Sequence, residues 1–341
     1  MAQRAFLLGG TGKTGVVLAR QLAALGWDVV VGSRGAVPAS EEFAHVRVDR
    51  SDADALRAAL EPGADVLVDF AAYDPEHADQ LLSFAPILGS AVVVSSGAVY
   101  TDAQGRSLEQ IREGEIVEFP VPIPERHTTV APGREGYAAK KAAIERRLME
   151  SSALRTTIVR AGAIYGPGDT ASREWHFVKR VLDGRQVIVL AYRGESRFHP
   201  VSVLNLAELL RLAAERPGDR IVNGGDPDPP SVLEISRIVA AAMDHEWVEV
   251  LMPAGPRDEV VGGSPWGVPR PWVLDMTEAE FEVGYRPVSS YANAVRGTID
   301  WLVEVTRDRD WREVLPTAAE HYEKLFDYAA EDAYLDTLKG G

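Results

Sequence analysis

The chain has 341 residues, of which 46% are hydrophobic, enough for a large core and for more than one lobe. It contains no cysteine, which excludes disulfide bonds, thiolate metal sites and cysteine nucleophiles, and its formal net charge of -15 disfavours nucleic acid and anionic membrane surfaces as partners. We find no signal peptide, no apolar run of membrane-spanning length and no metal-ligand spacing among the histidines, so we expect a cytoplasmic protein with no metal and no membrane partner.

Strand and helix signals alternate through the first 165 residues. Short β-branched runs predict buried strands, and the stretches between them predict helices. The predicted strands are 5–8, 29–31, 46–48, 66–68, 91–94 and 156–160, and the predicted helices are 16–25, 51–60 with Ser51 as N-cap, 75–84 and 137–151. Repeated βα units of this kind predict an α/β fold with a Rossmann-type doubly wound parallel sheet.

The alternation loosens after Gly168. Helices are predicted at 174–182, 203–215 and 232–243, strands at 187–190 and 220–223, a loop or lid at 252–272, and a helical tail from about 311. We therefore predict a dinucleotide-binding domain over 1–167, to which 203–225 returns. A smaller mixed α/β C-terminal substrate lobe would span 168–202 and 226–310, followed by a helical C-terminal extension over 311–341.

A glycine-rich turn joins the first predicted strand to the first predicted helix. Its residues are Gly9, Gly10, Thr11, Gly12, Lys13, Thr14 and Gly15. Glycines permit a tight turn and close backbone approach, and the helix N-terminus that follows offers free N–H groups to a pyrophosphate. A P-loop would need a further glycine at the position of Leu7, which lies inside the strand. The turn therefore predicts a dinucleotide site rather than a triphosphate site.

The tip of the second predicted strand bears on the choice of cofactor. An acidic residue there binds the ribose 2′-hydroxyl of NAD, whereas an arginine accommodates the 2′-phosphate of NADP. This chain has Ser33 and Arg34 at the tip and no acid. We therefore predict NADP, and NAD stays an alternative because Arg34 could instead stack on the adenine or face solvent.

Three later residues carry the features of proton-transfer chemistry. Ser96 follows the central strand, and Tyr137 and Lys141 stand four apart on one face of a predicted helix. A nearby ammonium favours the phenolate and so lowers a phenol pKa from its ordinary value of about 10. Ser96 would hold a substrate oxygen while Tyr137 transfers the proton and Lys141 tunes Tyr137 and contacts the nicotinamide ribose.

Together these motifs resemble the extended short-chain dehydrogenases/reductases of the NAD-dependent epimerase/dehydratase superfamily. The resemblance spans roughly residues 4–303 and includes the segment from Arg160 to Gly168 and the later Gly284-Tyr285-Arg286-Pro287. It implies cofactor contacts at the glycine turn and elsewhere, with Asp49 near the adenine. Those other contacts are Ser33, Arg34, Asp49, Arg50, Ala71, Lys141 and Ala161. The implied substrate contacts are Ser96, Tyr137, Arg197 and His199.

The sequence departs from the nucleotide-sugar branches of this family. Gly97 and Ala98 follow Ser96 where the dehydratases carry an acidic pair, and Ala163 and Asn205 replace residues common in nucleotide-sugar enzymes. Elimination and decarboxylation would therefore lack their proton shuttles.

We expect an NAD(P)-dependent oxidoreductase that transfers a hydride to or from a carbonyl or secondary alcohol. One alternative is an NAD-dependent epimerase of a sugar or nucleotide sugar, acting through a transient ketone. Another is a non-catalytic NAD(P)-binding protein, for which substitution of Tyr137 would leave function intact. The expected partner is a small carbonyl, alcohol or sugar-derived substrate, and the helical tail either wraps the core or forms a homodimer interface.

Overall fold

The computed structural model describes residues 2–35, 40–112 and 114–339. Residues 1, 36–39 and 113 of the predicted dinucleotide-binding domain, and residues 340 and 341 of the predicted extension, lie outside the described residues. The strands are β1 (Arg4–Leu8), β2 (Asp28–Ser33), β3 (Ala44–Arg47), β4 (Val66–Asp69), β5 (Ala91–Ser96), β6 (Thr156–Ala161), β7 (Ala163–Tyr165), β8 (Val187–Leu190), β9 (Pro200–Ser202), β10 (Arg220–Gly224) and β11 (Val248–Leu251).

The helices occur between these strands along the chain and, after β11, make up the C-terminal region. They are α1 (Lys13–Ala24), α2 (Ala53–Leu60), α3 (Glu76–Ser83), α4 (Leu108–Arg112), α5 (Tyr137–Met149), α6 (Trp175–Leu182), α7 (Val203–Glu215), α8 (Val232–Ala242), α9 (Thr277–Val283), α10 (Tyr291–Thr306), α11 (Trp311–Val314), α12 (Pro316–Tyr322) and α13 (Tyr328–Lys339). Among the residues described, no helix combines the length and apolar character needed to cross a bilayer.

The main sheet of the described chain contains seven strands in the order β10-β6-β5-β4-β1-β2-β3. Every neighbouring pair in it is parallel. The strand order reverses between β1 and β4, and in doubly wound sheets ligands bind outside the carboxyl ends of the strands at such a reversal. The predicted Rossmann-type α/β fold is confirmed.

The core of this sheet is apolar on both faces. Residues 5–8 of β1 and 91–94 of β5 are buried throughout, as strands covered by helices on both sides must be. One large cluster packs strand residues such as Phe6 and Ile158 against Leu56 of α2, Leu81 of α3 and Leu148 of α5. The packing of α5 in this cluster fixes the helix that carries Tyr137 and Lys141.

The start of α2 differs from the sequence prediction. The N-cap is Asp52, whose carboxylate accepts the N–H of Ala55 at 2.9 Å, and the helix begins at Ala53. Ser51 instead donates its hydroxyl to Asp49 at 2.7 Å. Ser51 was wrongly predicted as the cap because both residues can cap a helix and the sequence does not show which of them is already engaged.

The described chain divides into two compact units, each built from three separate segments. Unit one comprises the residues up to Ile164, Val203–Gly225 and Leu274–Val288, and it contains the whole seven-stranded sheet. Unit two comprises Tyr165–Ser202, Asp226–Val273 and the residues from Ser289 onward. The functions assigned to the domains remain predictions.

The C-terminal helices belong to unit two. Arg180 of α6 and Glu331 of α13 form a buried ion pair, with Nη2 and Oε2 3.3 Å apart. Arg185 and Asp332 add a second pair at 2.5 Å. These contacts fasten α13 to the region around α6, so the tail is an integral part of this unit.

Candidate active site and nucleotide cleft

The glycine turn after β1 leaves no room for side chains at two positions. A Cβ on Gly10 would lie 2.7 Å from the Cβ of Leu7, and one on Gly15 would collide with the carbonyl oxygen of Gly10. Helix α1 starts at Lys13, earlier than predicted, with Gly12 as N-cap and no described side chain capping it. Its first N–H groups are therefore available to an anionic ligand.

A cleft of about 530 Å³ opens beside this turn in unit one. It lies at the carboxyl ends of β1, β2 and β4, where the strand order reverses. The predicted cofactor contacts that line it are Gly9, Thr11, Gly12, Ser33, Arg34, Asp49, Arg50 and Ala71. Thr14 is buried in the first turn of α1, Lys13 Nζ lies 3.5 Å from the carbonyl oxygen of Ile164, and Ala161 pairs with Ser96 across β6 and β5.

The end of β2 is surrounded by basic side chains. The hydroxyl of Ser33 lies 2.8 Å from Nε2 of His45. Arg34 is exposed and makes no hydrogen bond or ion pair with the described residues. The bonds from Ser51, and more weakly the charge of Arg34, hold the pKa of Asp49 below its usual value. Arg47 lies next to Gly35, where a Cβ would be 3.5 Å from its Nε.

Arg50 lines the same cleft, but its charge is already compensated. Its Nη1 donates to both carboxylate oxygens of Asp69, at 3.1 and 3.0 Å. Its Nε and Nη2 donate to Oε1 of Gln80 at 3.2 and 3.0 Å. Asp69 is fully buried at the end of β4, so this pair shapes the wall of the cleft and offers little free positive charge.

Ser96, Tyr137 and Lys141 come together in unit one. Ser96 ends β5, and its hydroxyl is close enough to the hydroxyl of Tyr137, the first residue of α5, to lower the pKa of that phenol. Nζ of Lys141 lies 5.7 Å from the centre of the Tyr137 ring. It donates to the carbonyl oxygens of Ala72 and Val94, at 2.7 and 2.9 Å.

The pKa values at this group differ from the sequence expectation. Burial raises the pKa of Tyr137, and the nearby hydroxyl of Ser96 only partly opposes it. Burial lowers the pKa of Lys141 to about 8, against the opposing charges of Asp69 and Glu145. The predicted lowering of the Tyr137 pKa is absent because the partial burial of the phenol outweighs the influence of Ser96. The Lys141 amino group is engaged with two backbone carbonyls.

A buried ionic network holds α5 against the sheet. Nη2 of Arg160 on β6 lies 2.6 Å from Oε2 of Glu145 on α5, and the hydroxyl of Ser95 on β5 donates to Oε1 at 2.5 Å. Arg160 also donates to the hydroxyl of Tyr100 at 3.1 Å. The network joins α5 to β5 and β6 one turn beyond Lys141.

The two predicted substrate contacts of unit two are both engaged within the protein. Arg197 donates to the carbonyl oxygen of Pro229 and lies 3.3 Å from the carboxylate of Glu234. His199 is buried, with Nε2 2.8 Å from the carbonyl oxygen of Asp226, and burial lowers its pKa to about 4. His199 is therefore neutral at pH 7 and offers no charge to an anion.

Sequence reasoning did not single out Tyr73, Asp69 or Glu145. The ring centre of Tyr73 lies 4.9 Å from Nζ of Lys141, and Tyr73 lines the cleft. A signal existed for Asp69, because an acid at the end of a buried apolar strand requires a partner. Glu145 continues the four-residue spacing of Tyr137 and Lys141 and so belongs to the same helix face.

The family whose sequence model matches the chain is the NAD dependent epimerase/dehydratase family, over residues 5–225. The chain belongs to this family. No curated protein matches it. The glycine turn, the cleft and the Ser96, Tyr137 and Lys141 group all lie within the matched range, so the family resemblance drawn from the motifs is confirmed.

Several solved structures share the fold of this chain. A UDP-glucose 4-epimerase from Thermotoga maritima, solved with UDP-glucose, has a TM-score of 0.67 at 18% identity, covering 89% of this chain and 99% of its own. The Thermus thermophilus UDP-glucose 4-epimerase in complex with NAD has a TM-score of 0.63 at 24% identity, covering 88% and 98%. The Bordetella bronchiseptica enzyme WbmG in complex with NAD has a TM-score of 0.66 at 19% identity, covering 89% and 95%.

Proposed function

We propose that this family member is an NADP-dependent oxidoreductase that transfers a hydride to or from a carbonyl or secondary alcohol. The observation that carries the proposal is the meeting of Ser96, Tyr137 and Lys141 in the same unit as the glycine-turn cleft. A serine hydroxyl, a phenol and an amine at these distances can bind a substrate oxygen and move one proton to or from it.

The cleft suits a dinucleotide. The close contacts at Gly10 and Gly15 exclude side chains from these two positions of the turn. The uncapped start of α1 presents N–H groups to a pyrophosphate. When bound, the nicotinamide supplies or accepts the hydride. Within the protein, Ser96 orients the substrate oxygen, and Tyr137 donates its hydroxyl proton to that oxygen or takes it back. Lys141 places a positive charge beside the phenol while it is protonated.

The basic residues around Ser33 support NADP over NAD. Arg34 and Arg47 form no ion pair with the described residues, and only the more distant charge of Asp49 acts on Arg34, whereas Arg50 is paired with Asp69. No acid stands at the end of β2 to bind a ribose 2′-hydroxyl. A 2′-phosphate would accept charge-assisted hydrogen bonds from the free donors of Arg34 and Arg47.

The similar solved epimerases favour a second candidate, an NAD-dependent sugar epimerase. Structures in that group were solved with NAD or with UDP-glucose. In such a reaction Tyr137 would remove a hydroxyl proton and later return it through a transient ketone on the substrate. The substrate would then be a sugar or sugar nucleotide, and the cofactor would be retained between turnovers.

The deciding experiment starts with the nucleotide that the purified protein carries. Denatured protein is analysed by mass for released nucleotide, and stripped protein is titrated with NADPH and NADH. NADPH oxidation is then followed with a panel of ketones and aldehydes for the wild type, Tyr137→Phe and the control Tyr322→Phe in unit two. We expect loosely held cofactor, tighter binding of NADPH, and loss of at least about 100-fold in turnover only for Tyr137→Phe, because that change removes the proton donor.

Unchanged turnover in Tyr137→Phe would refute the catalytic assignment. Stoichiometric, tightly held NAD would instead select the epimerase and direct the search to hydroxyl-bearing sugars. Cofactor affinity of Tyr137→Phe should stay within about twofold of the wild type, since the substitution removes one hydroxyl and keeps the ring.

A further inference from the structure

Arg173 of unit two contacts two aromatic rings and forms no ion pair with the described residues. It lies just before α6, and its guanidinium carbon is 5.5 Å from the ring centre of Phe198 and 5.2 Å from that of Trp266. The side chain is partly exposed, and it makes no hydrogen bond or ion pair with any residue that the structure describes. A guanidinium has five N–H donors, so this one keeps its donors for another partner.

The carboxyl group next to Arg173 does not neutralise it. Glu174 is fully buried, and burial raises its pKa. Its two oxygens accept hydrogen bonds from the hydroxyls of Ser172 at 2.8 Å and Tyr291 at 3.1 Å. The carboxyl group therefore belongs to an internal network: the charge of Arg173 acts on it only at a distance, and the guanidinium donors remain without an acceptor among the described residues.

A second donor beside Arg173 also lacks an acceptor. Trp266 is fully buried, and its indole Nε1–H has no hydrogen-bond partner within the described part of the chain. Its ring is one of the two that contact Arg173, and it also meets Tyr291 edge-on at 6.3 Å. Buried donors in native proteins are nearly always paired, so an orphaned indole next to an unpaired guanidinium indicates a missing acceptor.

We propose that Arg173, held against Phe198 and Trp266, forms an oxyanion-binding site in unit two for the carboxylate or phosphate of a small molecule. The planar guanidinium fork matches two oxygens of either group. Contact with two ring faces restricts the arginine side chain, so less rotamer freedom is lost when the anion binds. The site uses none of the residues of the proposed reaction, so it can be tested independently of the proposed oxidoreductase activity.

Binding is measured by calorimetry and tryptophan fluorescence on the full chain without nucleotide, with pyrophosphate as the phosphate probe and malonate as the carboxylate probe. The variants are Arg173→Gln, Arg173→Lys and the control Arg296→Gln, an exposed arginine of α10 in the same unit. We expect saturable binding of at least one probe to the wild type and to the control. Loss of a charge-assisted hydrogen-bonding fork should weaken it about tenfold or more in Arg173→Gln.

The probe whose binding weakens in Arg173→Gln assigns the site, pyrophosphate to phosphate and malonate to carboxylate, because pyrophosphate bound at the glycine turn is unaffected by that substitution. Absence of saturable binding by both probes in the wild type would overturn the proposal, as would equal affinity in Arg173→Gln. Thermal melting checks that each variant folds. If Arg173→Gln does not fold, the probe affinity of Arg173→Lys is the test, because lysine keeps the charge and lacks the planar guanidinium fork. Unchanged affinity in Arg173→Lys would overturn a site built on the guanidinium.

Discussion

Lys141 places its amino group in the interior of unit one, between the rings of Tyr73 and Tyr137. Burial lowers its pKa to about 8, and the negative charge of Asp69 works against that lowering. A protonated Lys141 favours proton release from Tyr137, whereas a neutral one does not. We therefore expect turnover to fall as the pH rises above about 8.

The substitution Asp69→Asn tests this assignment. Removing the negative charge lowers the pKa of Lys141 further, so the decline in turnover should begin at lower pH than in the wild type. The pH dependence of kcat is compared for the wild type, Asp69→Asn and Asp54→Asn, an exposed control on α2. If kcat declines over the same alkaline pH range in Asp69→Asn and in the control, the titration of Lys141 does not cause the decline.

Arg34 and Arg47 are the residues on which cofactor preference should depend. We expect Arg34→Ala, alone or with Arg47→Ala, to weaken NADPH binding about tenfold or more, because each loses a charge-assisted contact to a phosphate. NADH affinity should be spared, as it has no 2′-phosphate. Arg20→Ala, which removes an exposed arginine paired with Glu42, serves as the control in the same fluorescence titrations. Equal losses for the two cofactors would contradict a 2′-phosphate contact.

At the scale of single residues, the sequence predicts positions better than electrostatic states. The four-residue spacing of Tyr137 and Lys141 is visible in the chain, and the structure brings both near Ser96. The pKa of Tyr137 could not be predicted, because it depends on how far the folded chain buries the phenol and on its proximity to Ser96 and Tyr73. His199 shows the same limit: its burial in unit two makes it neutral.

Helix α5 is attached to the sheet by charge as well as by apolar packing. Glu145 and Arg160 are each about 5% exposed, and their carboxylate and guanidinium meet at 2.6 Å. We expect Glu145→Gln to reduce the free energy of unfolding by about 3–5 kcal/mol, since it leaves the charge of Arg160 buried without a counter-charge. Denaturant unfolding measures the loss.

Glu150→Gln, at the C-cap of the same helix, is the matched control. Glu150 is exposed and lies 3.6 Å from Arg146, so its removal should change the free energy of unfolding by about 1 kcal/mol or less. Similar losses for Glu145→Gln and Glu150→Gln would mean that the buried pair does not hold α5 in place.

The sequence predicts the elements of this region but not their ionic connection. The β-branched runs of β5 and β6 and the helical character of α5 are evident from residues 91–94, 156–160 and 137–151. The inward direction of Glu145 follows from its spacing relative to Lys141, but a charged residue on a helix is usually solvated, and nothing local marks this one as buried. The partner, Arg160, becomes recognisable only once β6 is placed beside β5.

For the molecule as a whole, alternating βα signals are enough to predict a parallel, doubly wound sheet. Right-handed connections and strands buried on both faces leave few other arrangements for such a chain. The division into units is harder to predict, because each unit draws on three segments and contact between segments distant in the chain decides their membership. The pairing of α13 with α6 through Arg180 and Glu331 is of this kind.

The position of β10 at the sheet edge matters while the chain is being made. Synthesis of β6 is complete once Ala161 has been added. The strand that pairs with the outer edge of β6 is β10, which begins only at Arg220. At about 5–20 residues per second, translation of the intervening stretch takes several seconds. An open strand edge pairs readily with other chains during that interval. Newly made molecules that stall or are cut short between these residues should therefore be the ones that aggregate or recruit chaperones.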